Sequence, residues 1–126
     1  MSIDGKAIAA EVLARAKARA EKLGRTPKVV AVVASETPPT RSYLSIKAAR
    51  AADAGCELIV KRVSESADTE AVRGAAASAK ADAVIVELPL PQGVDVRAAC
   101  DAIPDGKDAD VLSSEARSAF MRVDEQ

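Results

Sequence analysis

Tyr43 and Lys47 stand four residues apart and are one pair of side chains that could do chemistry. Residues four apart share a helix face, and the predicted helix follows a loop at the carboxyl end of a strand, where ligands bind in parallel sheets. A desolvated lysine there could act as a general acid or base, and the tyrosine ring could stack on a flat heterocycle. The alternative, favoured by the spacing alone, is an exposed lysine on a solvated helix face with the tyrosine packed over the core.

A second candidate is Glu87, which follows the apolar run of residues 83–86 and precedes Pro89 and Pro91. The unbroken, β-branched run is typical of a strand that is covered on both faces. Because the prolines cannot donate to a ladder, pairing should stop near Leu88, which leaves Glu87 at the carboxyl end of the strand. By position alone, a solvated glutamate in an edge loop is the favoured alternative.

Asp108 and Asp110 follow Gly106 and Lys107 in a polar stretch. A carboxylate pairs well with an amidine-like edge that offers two N–H donors, as in a guanidine or a pterin. The alternative is a turn built from turn-favouring residues, and taken in isolation the pattern favours that alternative.

Composition excludes several classes of protein. The 126 residues, 48% hydrophobic and 29% charged, fit one globular domain, and the net charge of −1 comes without a basic stripe or aromatic platform for nucleic acid. Without histidine there is no Ser-His or Cys-His nucleophile, and Cys56 and Cys100 alone argue against a zinc site. No signal peptide and no run of about 20 apolar residues appear, so we expect no membrane partner and a cytoplasmic protein with reduced thiols.

Strands alternate with helices along the chain. The predicted strands cover residues 28–34, 57–63 and 83–86. The predicted helices run from an Asp4 cap to about Leu23, from Thr40 or Ser42 to Gly55, from Asp68 or Thr69 to about Ala79, over 94–102 and from about Ser114, and the first carries an apolar stripe at Ile8, Val12, Ala16 and Ala20. A loop is predicted over 35–41 and a polar turn over 105–110. This alternation predicts an α/β fold, a three-layer αβα domain with a mostly parallel sheet. We expect residues 1–126 to form one domain, although the pattern weakens from about 112.

Four motifs appear in a familiar order: Asp4-Gly-Lys-Ala-Ile-Ala9, Tyr43-x-x-x-Lys47, Val86-Glu-Leu-Pro-Leu-Pro91 and Lys107-Asp-Ala-Asp110. Together they resemble the N-terminal catalytic domain of methylenetetrahydrofolate dehydrogenase/methenyltetrahydrofolate cyclohydrolase, the bifunctional folate enzyme often called FolD. The resemblance runs from about Ile3 to Asp110 and more loosely to Phe120.

The resemblance implies a role for four of the residues above. Lys47 would be the key catalytic residue, and Glu87 stands where a glutamine usually positions that lysine. Tyr43 would pack on the pterin ring of a folate, and Asp110 would hydrogen-bond the pterin edge. No residue is assigned to a metal or to a cofactor.

This sequence departs from the family pattern at several points. A carboxylate at Glu87 would favour the charged form of Lys47, which works against a neutral base. Val111 stands where the family usually has glycine, and if that glycine has a positive φ, the β-branched valine must change the turn. Ser35 also replaces a usual glycine. The sequence contains no Gly-x-Gly-x-x-Gly fingerprint after a strand and lacks the family's later Pro-Thr-Pro segment.

The resemblance implies folate one-carbon metabolism, the interconversion of 5,10-methylene-, 5,10-methenyl- and 10-formyl-tetrahydrofolate. NADP or NAD would be used only if a second, dinucleotide-binding domain is supplied, because this domain lacks the Rossmann fingerprint. Cyclohydrolase chemistry needs only water, a pterin site and an acid or base, so it is the activity expected of this chain alone. The alternative is a catalytically degenerate module that binds folate or a partner chain.

The apolar surface that a second domain would cover in the family must here be exposed, paired with another copy or covered by the chain's own tail. We expect the isolated chain to self-associate as a homodimer through the face nearest its C-terminus, where Leu112, Phe120 and Met121 are the available apolar residues.

Overall fold

Three parallel strands form the centre of the protein, whose computed structural model describes residues 2–123. The strands lie in the order β2-β1-β3, and they are β1 (Lys28–Val33), β2 (Glu57–Arg62) and β3 (Ala83–Val86). Val30 of the central strand lies opposite Ile59 on one side and Val84 on the other. The predicted α/β fold is confirmed, and all of the strand pairs are parallel.

Helices alternate with the strands along the chain. They are α1 (Gly5–Lys22), α2 (Pro38–Asp53), α3 (Thr69–Ser78), α4 (Val96–Asp101) and α5 (Ser114–Val123). The first four helices each begin at a side chain that accepts a backbone N–H, and these capping residues are Asp4, Thr37, Asp68 and Asp95. Within residues 2–123 no helix is both long and apolar enough to cross a membrane.

One face of the sheet packs against α3 and α4. Small and β-branched side chains from both layers are buried together, among them Val30, Val32, Val72, Ala76, Val84, Val86 and Ala99. Successive strand residues point to opposite faces, so every second residue of β1 and β3 contributes here. This layer holds the sheet rigid behind the candidate site.

The opposite face of the sheet is covered more thinly, by α2 and then α1. Its buried cluster consists of Ala31, Val33 and Leu44, with Leu58 and Val60 packed against it. The apolar stripe of α1 is largely uncovered, because Ile8 is 54% exposed and Val12 is 50% exposed. The incomplete cover leaves an open cleft between the helices and the sheet.

Helix α2 begins earlier than its sequence suggests. The predicted loop over 35–41 and the start at Thr40 or Ser42 are wrong, because the helix begins at Pro38. Proline suits the first helical position, where its missing N–H is not needed. The Thr37 side chain caps the helix by accepting the N–H of Thr40, and the two threonine hydroxyls lie 3.0 Å apart.

Candidate active site

The side chains of Lys47 and Glu87 are in direct contact. Lys47 Nζ donates to Glu87 Oε1 over 2.5 Å. Glu87 immediately follows β3, and its N–H still donates to the carbonyl of Val32 over 2.9 Å, which fixes the direction of its side chain. The alternation of the strand places Ile85 and Glu87 on the side of the sheet that faces α2. Local strand geometry thus brings together two residues that are forty positions apart.

The two side chains of the Lys47–Glu87 pair are buried to different extents. The Glu87 side chain is 9% exposed, whereas the Lys47 side chain is 38% exposed. A buried carboxylate is costly unless it is paired, and here the ammonium partners it. The exposed part of Lys47 remains free to meet a ligand from the solvent side. Glu87 is therefore not the solvated edge-loop glutamate of the alternative interpretation.

Tyr43 lies one helical turn before Lys47 on α2 and is 62% exposed. A tyrosine packed over the core, as the alternative had it, would be largely covered. The exposed ring instead offers a flat surface beside the ion pair.

A cleft of about 570 Å³, lined in part by Lys47, opens on the thinly covered face of the sheet. Its walls are mostly apolar and include Leu13, Ile46, Lys47, Leu58, Ile85 and Ala109. Ala109 directly precedes Asp110, so the loop that carries Asp110 reaches the wall that carries Lys47. An apolar cleft with a few polar groups at its edge is typical of a small-molecule site.

Asp110 does not take part in the ion pair between Lys47 and Glu87. Its side chain is exposed. Among the described residues it forms no hydrogen bond or ion pair with Tyr43, Lys47 or Glu87. The contact that the structure establishes is thus between Lys47 and Glu87, with Tyr43 on the same helix and Asp110 on a loop at the cleft.

The loop before α5 is tied down by Asp108. Its Oδ1 accepts the N–H of Leu112 over 3.0 Å, and its Oδ2 accepts the N–H of Ser113 over 2.7 Å. Burial alone would raise the pKa of Asp108, but these N–H donors outweigh burial and lower the pKa below its ordinary value. Sequence reasoning considered Asp108 only as a partner of Asp110, although short polar side chains that bond nearby backbone are a known turn signal.

Val111 has a φ of +54°. The expectation was that a valine would change this turn if the family's glycine has a positive φ; in this chain the β-branched residue itself adopts the left-handed conformation. Such a φ is a rare and strained state for valine. The bonds from the N–H groups of Leu112 and Ser113 to the Asp108 carboxylate explain how it is held.

The described part of the chain contains no group of three or more His, Cys, Asp or Glu side chains that could hold a metal ion. Cys56 is half-buried and Cys100 is buried, and both are free thiols. Burial raises the pKa of the Cys100 thiol, which makes it less reactive.

Comparisons with known proteins agree with the motifs. The Bifunctional protein FolD of Thermotoga maritima is 32% identical over 126 residues, which is 100% of this chain and 46% of that protein. A 5,10-methylenetetrahydrofolate dehydrogenase from the silkworm Bombyx mori shares the fold with a TM-score of 0.83 at 22% identity, over 93% of this chain and 43% of its own. A FolD enzyme of Trypanosoma brucei, solved with NADP cofactor and inhibitor, shares it with a TM-score of 0.82 at 24% identity, over 100% of this chain and 45% of its own.

This chain spans less than half the length of these relatives. The family model for the catalytic domain of tetrahydrofolate dehydrogenase/cyclohydrolase matches residues 3–110, which include all four motifs. The chain therefore belongs to the tetrahydrofolate dehydrogenase/cyclohydrolase family, and the part of the family that it matches is the catalytic domain.

Proposed function

We propose that this chain binds tetrahydrofolate derivatives and takes part in the interconversion of their 5,10-methylene, 5,10-methenyl and 10-formyl forms. The observation that carries the proposal is the 2.5 Å contact between Glu87 and Lys47, which lines an apolar cleft, in a chain of this family. The hydrolysis of the methenyl form is the activity that we assign to the chain alone.

The pterin would lie between Tyr43 and the Asp110 loop. The exposed ring of Tyr43 provides a stacking surface, and the Asp110 carboxylate can accept two N–H groups from the amidine-like edge of the pterin. The polar tail of a folate would then extend towards solvent. This orientation would place the one-carbon unit beside Lys47.

Hydrolysis begins when water adds to the methenyl carbon and loses a proton. The bond from that carbon to N5 then breaks, N5 takes up a proton, and the hydroxyl on the carbon releases its proton to solvent as the formyl carbonyl forms on N10. A neutral Lys47 would take the proton of the attacking water and pass it to the departing N5. Lys47 is engaged in an ion pair with Glu87, so we expect turnover to be slow but present.

Hydride transfer needs a dinucleotide, and we propose that this chain binds neither NADP nor NAD by itself. The relative from Trypanosoma brucei that was solved with NADP is more than twice as long as the part matched here. A second domain, supplied by further sequence or by another chain, would hold the dinucleotide.

Calorimetric titration with a tetrahydrofolate derivative tests the proposed ligand. The chain should bind it, and Tyr43→Ala should weaken binding about tenfold, which corresponds to roughly 1.4 kcal/mol for a lost stacking surface. Leu23→Ala, at an exposed apolar residue after α1, is the matched control and should bind normally. Binding without any turnover would instead support a degenerate folate-binding module, and no binding at all would contradict both readings.

We further propose that residues 1–126 form one domain of this type and that the protein works in the cytoplasm. The two free thiols support a reducing compartment.

We propose no nucleic-acid partner, and we propose self-association through α5, whose Phe120 and Met121 are 60% and 64% exposed.

A further inference from the structure

The segment from Asp108 to Ser113 closes on itself around one carboxylate. Both oxygens of Asp108 accept backbone N–H groups, from Leu112 and from Ser113. These two N–H groups lie four and five residues further along the chain, so the bonds close a short loop over residues 109–112. Asp110 is inside that loop.

The loop is anchored to rigid structure on both sides. The N–H of Val84 in β3 donates to the carbonyl of Lys107 over 2.7 Å, and Asp108 forms an isolated parallel bridge to Val84. At the other end, Arg97 of α4 donates to the carbonyl of Leu112. Residues 109–111 lie between these two anchors, so any remaining backbone motion of the loop is confined to them.

Val111 shows what the closure requires of the backbone. Its φ of +54° is unfavourable for a β-branched residue, and nothing in its own chemistry favours that conformation. Charge-assisted hydrogen bonds from Leu112 and Ser113 to Asp108 are strong enough to hold it there. Released from them, Val111 should return to a negative φ and turn the Asp110 peptide away.

Capping of α5 does not account for Asp108. The N–H of Ala116 bonds to Ser113 Oγ over 3.0 Å, and the N–H of Ser114 bonds to Asp101 over 2.6 Å. The start of α5 therefore has its own partners. The specific effect of Asp108 falls on the loop before the helix.

We propose that Asp108 is a positioning residue that holds the 109–112 loop in the one conformation that presents Asp110 to a bound folate. Asp108 itself does not touch the ligand. The inference rests on the proposed function, because folate binding is the role for which the Asp110 loop is positioned. The proposal adds Asp108 to the site as a residue that acts only by positioning Asp110.

Two measurements on Asp108→Asn test the proposal. The first needs no ligand: the φ of Val111, measured by NMR from its coupling constant and its intraresidue amide–Hα distance, should leave the positive range. The second is folate affinity and turnover, where KM should rise about tenfold with little change in kcat, because Lys47 and Glu87 are untouched.

Three further variants make the result specific. Asp105→Asn, at an exposed carboxylate in the preceding turn, should change neither the φ of Val111 nor KM. Asp110→Asn should raise KM while the φ of Val111 stays positive. Asp108→Glu keeps the charge but displaces the carboxylate, and it should show both changes of Asp108→Asn to a smaller extent, even where the asparagine variant folds poorly.

An unchanged φ at Val111, or an unchanged KM, in folded Asp108→Asn would overturn the proposal. So would an equal fall in kcat, which would indicate damage to the whole site. A parent chain that binds no folate would contradict the proposed function instead, and the φ of Val111 would then decide by itself whether Asp108 holds the loop.

Discussion

The contact between Lys47 and Glu87 decides what the candidate site can do. A glutamine at position 87, as the family resemblance implies, could orient the lysine through a neutral amide. The carboxylate adds a charge at 2.5 Å in a position that is only 9% exposed, where charges interact strongly. Lys47 is thus held by an ion pair and not by a hydrogen bond to a neutral amide.

Glu87→Gln should speed the hydrolysis of methenyltetrahydrofolate. The neutral amide would keep the lysine in place without the ion pair that now engages it, so Lys47 would be freer to act on the substrate. We expect a gain of up to about tenfold, less than the roughly 10²–10⁴-fold that general acid–base catalysis contributes in full. Glu36→Gln, which removes the carboxylate of the Glu36–Arg62 pair, is the matched control and should leave the rate unchanged. A slower Glu87→Gln enzyme would show that the carboxylate itself takes part in the reaction.

Val111→Gly should stabilise the protein. Glycine adopts a positive φ without strain, and this gain exceeds the extra entropy that glycine gives the unfolded chain, leaving about 1 kcal/mol in the free energy of unfolding. Denaturant unfolding measures it. Val12→Gly, at a half-exposed position inside α1, should destabilise by roughly 1 kcal/mol and serves as the control. Destabilisation by Val111→Gly would mean that the valine is not strained.

At the scale of the elements, the amino ends of β1 and β3 are joined by Asp82. Its carboxylate accepts the guanidinium of Arg25 at 2.6 and 2.9 Å and the N–H of Lys28 at 2.8 Å. The Arg25 side chain and the Lys28 N–H hold the pKa of Asp82 well below its usual range. The strand that delivers Glu87 is thus fixed at its other end by a charged pair.

Asp82→Asn should reduce the loss of stability in acid. Because the folded-state pKa is lower than the unfolded value of about 3.9, the contribution of Asp82 is present above that value and disappears as pH falls through the folded pKa. The variant should be less stable at neutral pH, and its free energy of unfolding should fall less steeply below about pH 4. Glu65→Gln, at an exposed carboxylate in a turn, should leave the profile as it is. A parallel profile for Asp82→Asn would contradict the role of this pair.

The sequence predicts the elements well where periodicity and burial act together. The apolar runs of β1 and β3 and the capping residues Asp4 and Asp68 locate their elements correctly. The start of α2 was misplaced because paired prolines are as typical of a stiff loop as of a first helical turn. The loop closure by Asp108 was missed, because a short polar side chain in a turn signals a bond to nearby backbone but not which N–H groups will return to it.

At the scale of the whole molecule, apolar surface is distributed unevenly. Residues on α1 and α5 expose large side chains, among them Ile8, Val12, Phe120 and Met121. Leu112, which was expected to join the exposed tail residues, instead packs against the larger core cluster. The surface available for self-association near the C-terminus is therefore the exposed side of α5.

Replacing both Phe120 and Met121 with serine should weaken self-association. Exposed apolar side chains of this size stabilise an interface when they are buried, and a two-fold contact between copies would bury both pairs. Light scattering over a dilution series should show the parent chain dissociating at a lower concentration than the double variant. Leu23→Ser, at an exposed apolar residue after α1, is the control and should behave as the parent does. A parent chain that stays monomeric at high concentration would contradict this prediction.

The most direct test of the account is the rate at which methenyltetrahydrofolate absorbance decays in the presence of the purified chain. The decay should be faster with the chain than in buffer, and Lys47→Met should return it to the buffer rate. Lys80→Met, at an exposed lysine preceding β3, should retain the full acceleration. If the parent chain gives no acceleration even at high concentration, or if Lys47→Met accelerates the decay as much as the parent does, then this chain is not a cyclohydrolase that works through Lys47.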